Sequence, residues 1–381
     1  MTVIAVEGPE ALGIDPQKLE TLRTRVGKEV AEDLLPSSQF ALARDGKLAA
    51  FEAFGDADLD TRYVIFSATK ALVASAAWQL IAAGKLEVAL PVAAYIPEFG
   101  ANGKDAITVE QVMLHTSGFP HAPLGPPKWY DRAARIAQFG QWRLNWEPGT
   151  AYEYHATSAH WVLAELIERI SGQDYRDFIH DNVTAPLGLP RVLGLAPSEQ
   201  TGIADLQLCG EPPTADELEA AFGVRELPVT EVTDEALMSL SAPENRELGI
   251  PGGGGIATAA TMALFYQALL HNPDGLWDAE VLADATGRVR NSFPDPLLHT
   301  PANRGLGVII AGDDGKASLR GFGHTQSGRT FGHNGAGGQI CWADPESGLS
   351  FSYLTNGNDA HMLRQARRTI GITSKAAICS K

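Results

Sequence analysis

The chain of 381 residues is 44% hydrophobic and 20% charged, an ordinary composition for a globular protein with a sizeable core and about two domains. Its 46 acidic and 30 basic residues leave a net charge of −16, which disfavours a nucleic-acid partner. No apolar run is long enough to span a bilayer and residues 1–9 lack the basic start and apolar core of a secretory signal, so no membrane partner is expected and the expected location is cytoplasmic.

In chain order, the pattern predicts a helix over 16–34 and a hairpin over 38–55 turning at Asp45-Gly46. Residues 63–248 read as mainly helical with long loops. Within them, 71–84 is apolar on nearly every face, the mark of a buried helix, and 158–170 is a helix closed by Gly172. The stretch 206–249 is acidic and weakly periodic, as in a flap over a site or a plain surface loop. Beyond Pro251 come a helix over 259–271, strands over 305–310, 329–331, 339–343 and 349–354, and a last helix over 359–369. Strands from the two ends must meet in one antiparallel sheet flanked by helices, an α/β (α+β) fold. Residues 1–62 and 251–381 are expected to form that domain, with a mainly helical domain, 63–250, inserted in it and a site in the crevice.

Chemistry is concentrated at Ser67-Ala68-Thr69-Lys70, which follows the apolar Tyr63-Val64-Ile65-Phe66 and opens the buried helix. With Ser67 at a helix N-terminus, Lys70 lies one turn on along the same face. A serine hydroxyl needs a neighbour to take its proton, and a lysine serves once burial lowers its pKa. So short a motif recurs by chance about once in a chain of this length, so its company matters. Pro148-Gly149-Thr150 leads to Tyr154 in a loop before the 158–170 helix, and Phe331-Gly332-His333-Asn334-Gly335-Ala336 precedes the final hairpin. Glycine at the start of a strand lets a ligand approach the backbone closely.

Ser-x-x-Lys, a tyrosine after Pro-Gly-Thr, and His-x-Gly before a terminal hairpin, in that order, resemble the serine β-lactamase and penicillin-binding-protein superfamily. Within it the likeness is to class C β-lactamases and the related family VIII carboxylesterases. His115-Thr116-Ser117-Gly118, Pro186-Leu187-Gly188-Leu189 and Gly253-Gly254-Gly255-Ile256-Ala257-Thr258 are similar to further segments of that group. The resemblance implies that Ser67 is acylated, that Lys70 is its base or proton relay, and that Tyr154 shares the proton traffic. It also implies an oxyanion hole from the backbone N–H groups of Ser67 and Ala336, with His333 and Gly335 along the same wall. His155, beside Tyr154, and Trp129 join them as candidate substrate-binding residues. Core packing is the competing account of at least two among Trp129, Tyr130 and Trp142.

Two departures bear on the substrate. The class C enzymes carry Tyr-x-Asn and Lys-Thr-Gly, where this chain has Tyr154-His155-Ala156 and His333-Asn334-Gly335. The missing amide and ammonium would contact the amide side chain and carboxylate of a β-lactam, so a small acyl ester is the expected substrate. A β-lactam, a D-amino-acid peptide or another amide is the alternative, and a non-catalytic binding module the second alternative. Cys209, Cys341 and Cys379 have no metal spacing, and His155 and His160 have no third ligand nearby; no metal or other cofactor is implied.

Overall fold

The computed structural model describes residues 5–226 and 232–380. Its strands, in chain order, are β1 (Ser37–Arg44), β2 (Lys47–Gly55), β3 (Tyr63–Val64), β4 (Gln207–Cys209), β5 (Ile256–Ala257), β6 (Ile309–Ile310), β7 (Phe331–Gly332), β8 (Ile340–Asp344), β9 (Leu349–Thr355) and β10 (Gly357–Asp359). Six of them form one sheet in the order β2-β1-β9-β8-β7-β6, and every pairing in it is antiparallel. The expected α/β fold with an antiparallel sheet and flanking helices is therefore present. β1 lies between its hairpin partner and a strand from the far end of the chain. There Thr355 Oγ1 donates to Ser37 O across 318 positions.

Alternation along the strands sends side chains to two cores. On one face Phe40, Leu42, Trp342 and Phe351 pack with Leu22 and Ile372, which come from helix α1 (Pro16–Ala31) and the C-terminal helix Met362–Ala377. On the other, Ala41, Ala43 and Cys341 meet the helix Ala259–His271 and, beyond it, α2 (Thr69–Ala82). Full burial of a large apolar side chain stabilises by about 1.5–3 kcal/mol. α2 is buried nearly all round, including Ala71, Leu72, Val73 and Trp78. The remaining helices that place the site are α3 (Val109–Met113), α4 (Arg132–Gln141) and α5 (Ser158–Ser171).

Three boundaries differ from expectation. α1 starts on an Asp15 cap that accepts from Gln17 N–H and Lys18 N–H, but stops at Ala31, and Asp33 takes a φ of 55°. The strand expected over 305–310 shrinks to β6. Gly307, at φ 87°, lies so close to α2 that a Cβ there would sit 2.2 Å from Ala74 Cβ, and Trp78 Nε1 donates to Leu306 O at 2.9 Å. The last helix starts at Met362, after β10, and continues through Gly371, which lies against Arg25 of α1. Within 206–249, β4 pairs in parallel with β10, and Leu237 and Leu240 pack on Val64, Phe66 and Ile256; residues 227–231 of this expected flap or loop lie outside the described residues. Among the described residues no helix is long and apolar enough to cross a membrane.

Candidate active site

A tight turn lifts one hydroxyl out of the core. β3 pairs with β5, Ile65 N–H donates to Gly255 O at 2.9 Å, and Gly255 N–H donates to Thr69 Oγ1 at 2.9 Å. Thr69 Oγ1 in turn donates to Phe66 O at 2.6 Å. These bonds hold Phe66 at φ 46°, a left-handed conformation that costs a bulky residue about 1–3 kcal/mol. The strained turn runs through the 3₁₀ segment Phe66–Ala68 into α2. Of residues 63–78, all are buried except Ser67.

Lys70 follows one turn on, fully buried. Its Nζ donates to Ala156 O at 2.7 Å and to Gly252 O at 2.6 Å, and lies 3.2 Å from Ser67 Oγ. Among the described residues it has no carboxylate partner. Burial, with the charge of Arg304 nearby, holds its pKa well below the usual lysine range. A neutral amine has two N–H groups and one lone pair. Two carbonyls take the N–H groups, which leaves the lone pair for Ser67.

Tyr154 stands over this pair from the loop before α5. Lys70 Nζ is 5.0 Å from the centre of its ring. The ring is partly exposed, yet the hydroxyl is buried without a well-formed hydrogen bond. Burial pushes the Tyr154 pKa up to about 12, with Ser67 and Arg304 acting in the opposite direction. His115, from the turn after α3, packs its ring 4.9 Å from that of Tyr154. The sequence thus brings Ser67, Lys70 and Tyr154 into one cluster from two distant segments.

The opposite wall comes from the sheet. Gly335 approaches the turn before Ser67 so closely that a Cβ would lie 2.3 Å from Ile65 O, and a Cβ on Gly337 would lie 3.4 Å from the Phe66 ring. Ala336 follows in a 3₁₀ turn and packs against the cluster of Val64 and Phe66, and Asn334, Gly335 and Ala336 are partly exposed. Replacing Gly335 by alanine must push this wall away from the turn. Gly335→Ala is expected to lower kcat by at least about tenfold, because shifts near 1 Å in a reacting geometry have effects of that size or larger. An unchanged kcat in the folded variant would separate this wall from catalysis.

Two expected substrate-binding residues are placed differently. His155 is fully buried: its Nε2 accepts from Phe119 N–H and faces Ser117 Oγ, both at 3.1 Å, and its Nδ1–H donates to Glu153 O at 2.6 Å. Burial drives its pKa down to about 3, so it is a neutral strut of the Tyr154 loop and not part of the opening. Trp129 is half-buried, edge-on to Tyr130, and its carbonyl accepts from Arg135; its described contacts do not include Ser67, Lys70 or Tyr154. Trp142 is a core residue. His333 is buried as well. Its Nδ1–H donates to Asn334 O at 2.9 Å and its Nε2 lies 3.3 Å from Arg304 Nη1.

Sequence reading missed several members of the cluster. Ala156 O and Gly252 O act through backbone atoms, which carry no residue signature. Arg304, Tyr152 and His160 are buried around Tyr154 and Lys70, and a charged residue within the apolar, glycine-rich stretch 302–307 was the available signal. Among the described residues no group of three or more His, Cys, Asp or Glu side chains is placed to hold a metal.

The likeness extends well beyond this cluster. The Beta-lactamase family model matches residues 22–372, nearly the whole chain, and the protein belongs to that family as a serine hydrolase. It is 29% identical over 322 residues to the esterase/beta-lactamase LipL of Mycobacterium tuberculosis, covering 78% of this chain and 70% of LipL. The crystal structure of a penicillin-binding protein homologue from Caulobacter crescentus superposes with a TM-score of 0.76 at 26% identity, over 95% of this chain and 99% of that one. A family VIII carboxylesterase shares the fold with a TM-score of 0.76 at 23% identity, over 96% of this chain and 99% of its own.

Proposed function

We propose that this serine hydrolase is a carboxylesterase that forms an acyl-enzyme on Ser67 and acts on small esters with short or medium acyl groups. The observation that carries the reading is Lys70: a desolvated amine, both N–H groups given to carbonyls, 3.2 Å from the one partly exposed hydroxyl of its helix. As Ser67 Oγ bonds to the ester carbonyl carbon, its proton passes to Lys70 Nζ. The carbonyl π electrons move to oxygen, and the N–H groups of Ser67 and Ala336 receive that oxyanion; one such donor contributes about 3–4 kcal/mol. Collapse breaks the bond to the alcohol, which leaves with a proton returned through Lys70 and Tyr154. Water then attacks the acyl-enzyme by the same route in reverse.

Tyr154 is better suited to relay than to first base, since a hydroxyl with its pKa near 12 is protonated at neutral pH. Tyr154→Phe is expected to reduce kcat/KM on an ester by about a hundredfold; a wild-type rate would remove the hydroxyl from the pathway.

Preference for esters over β-lactams is supported by what stands at the two departures. At the position of the amide is Ala156, whose carbonyl is taken by Lys70. At the position of the lysine is His333, whose pKa is held well below the usual histidine range by burial and by the charge of Arg304, leaving a neutral ring. Initial rates on a short-chain nitrophenyl ester and on a chromogenic cephalosporin test the choice. Ester turnover is expected to dominate. Faster cephalosporin cleavage would make the protein a β-lactamase, and turnover of D-amino-acid amides without esters would make it a peptidase.

A further inference from the structure

Arg304 is 7% exposed and, among the described residues, forms no ion pair with a carboxylate. Neutral groups surround its guanidinium. Nη1 donates to His333 Nε2 at 3.3 Å and Nη2 donates to Tyr152 Oη at 2.7 Å, while Nε is buried without a partner. The charge centre lies 5.2 Å from the Tyr154 ring and 5.5 Å from the Tyr152 ring.

The titratable groups around it come from several elements: Lys70 of α2, His115 after α3, Tyr152 and Tyr154 before α5, His160 of α5, and His333 beside β7. With Tyr152, Asp295, Thr300 and Arg320, Arg304 also lines a cavity of about 120 Å³. Arg320 there is already paired with Asp314. A buried cation without a counter-ion is strongly unfavourable. Tyr152 Oη accepts from Arg304 directly, Asp295 shares the cavity lining without pairing to it, and the Tyr154 ring brings the Ser67–Lys70–Tyr154 cluster to 5.2 Å from its charge centre.

We propose that Arg304 is a positioning residue of the Ser67–Lys70–Tyr154 centre, a fixed positive charge beside the Tyr154 ring that favours negative charge on the Tyr154 and Ser67 hydroxyls as the proton leaves Ser67. It delivers, from the loop before β6, the cation that is missing from the strand position occupied by His333, and it is hydrogen-bonded to that histidine. The inference rests on the acyl-enzyme reading above.

The test is the pH dependence of kcat/KM on a short-chain nitrophenyl ester for wild type, Arg304→Gln, Arg304→Lys and Tyr152→Phe. Removing a nearby positive charge raises the pKa of groups that must be deprotonated. The acid limb of Arg304→Gln is therefore expected to move to higher pH by about one unit, with a lower plateau. Arg304→Lys, which keeps a positive charge, should hold the limb close to its wild-type position. Tyr152→Phe, which drops a hydrogen bond and keeps the charge, should leave the limb in place whatever it does to the rate.

An unshifted limb in Arg304→Gln overturns the proposal, as does an equal shift in Tyr152→Phe. So does a loss confined to KM on carboxylate-bearing esters, which would make Arg304 a substrate anchor. Should Arg304→Gln not fold, Tyr152→Glu places a carboxylate against the guanidinium, and the same upward shift is required of it. Wild-type turnover by Ser67→Ala would sink the acyl-enzyme reading itself, whereas an inactive Ser67→Ala beside an unshifted Arg304→Gln would remove Arg304 alone.

Discussion

Ser67→Ala is expected to lose ester turnover by about five to six orders of magnitude, the scale seen when a serine hydrolase loses its nucleophile. The magnitude follows from geometry. Every other residue of 63–78 is buried, so no second hydroxyl on this turn can substitute, and the strained Phe66 conformation exposes nothing else. Alanine keeps the backbone N–H and removes one oxygen, so the fold should survive. Intact-protein mass spectrometry after a slow ester or a phosphonate probe gives an independent reading. The wild type should gain the acyl or phosphonyl mass on the peptide containing Ser67, and the variant should gain none. Labelling at another residue in the wild type would move the nucleophile elsewhere.

Lys70→Met is expected to reduce kcat/KM by about 10³- to 10⁴-fold, the contribution of a well-placed general base. Methionine matches the stem of lysine and offers no lone pair basic enough to take the Ser67 proton. Lys70→Arg should not rescue, because a guanidinium stays protonated at any pH the protein survives. The sign of the pH dependence follows from the depressed pKa. The amine is active when neutral, so activity is present above its folded pKa and is lost as pH falls through it. Because burial sets that pKa well below the lysine range, neutral Lys70 is available without strongly alkaline conditions. A wild-type rate that climbs only near the ordinary lysine pKa would contradict a desolvated base. A rate in Lys70→Met close to wild type would pass the role to Tyr154.

The fold class was readable because long apolar runs and glycine-closed helices have periodic signatures, and because β1 and β2 form a local hairpin at Asp45-Gly46. That Ser67, Lys70 and Tyr154 lie together was expected from resemblance in motif order, not from spacing alone, and the three do cluster. What stayed hidden depends on contacts that leave no mark on residue type. Lys70 is fixed by two carbonyls, 86 and 182 positions away, and any amino acid supplies a carbonyl. Arg304 acquires its meaning from Tyr152 and His333, 152 and 29 positions away. His155 looked like part of the opening because it adjoins Tyr154 in sequence, yet successive residues of an extended loop point in opposite directions. At Gly307 the local pattern favoured a strand, and the close approach of α2 overrode it.

The place of β1 in the sheet has a consequence for how the protein is made. Its neighbour β9 lies some three hundred residues later, as the 318-position bond from Thr355 to Ser37 records. At ordinary synthesis rates that delay is roughly 15 to 60 s, during which one edge of β1 has no native partner and Phe40 and Leu42 lack half of their core. A growing chain in that condition invites strand pairing with its neighbours on the same message. Premature termination anywhere before β9 therefore leaves β1 with an unpaired edge, the kind of exposed strand that templates association with other chains.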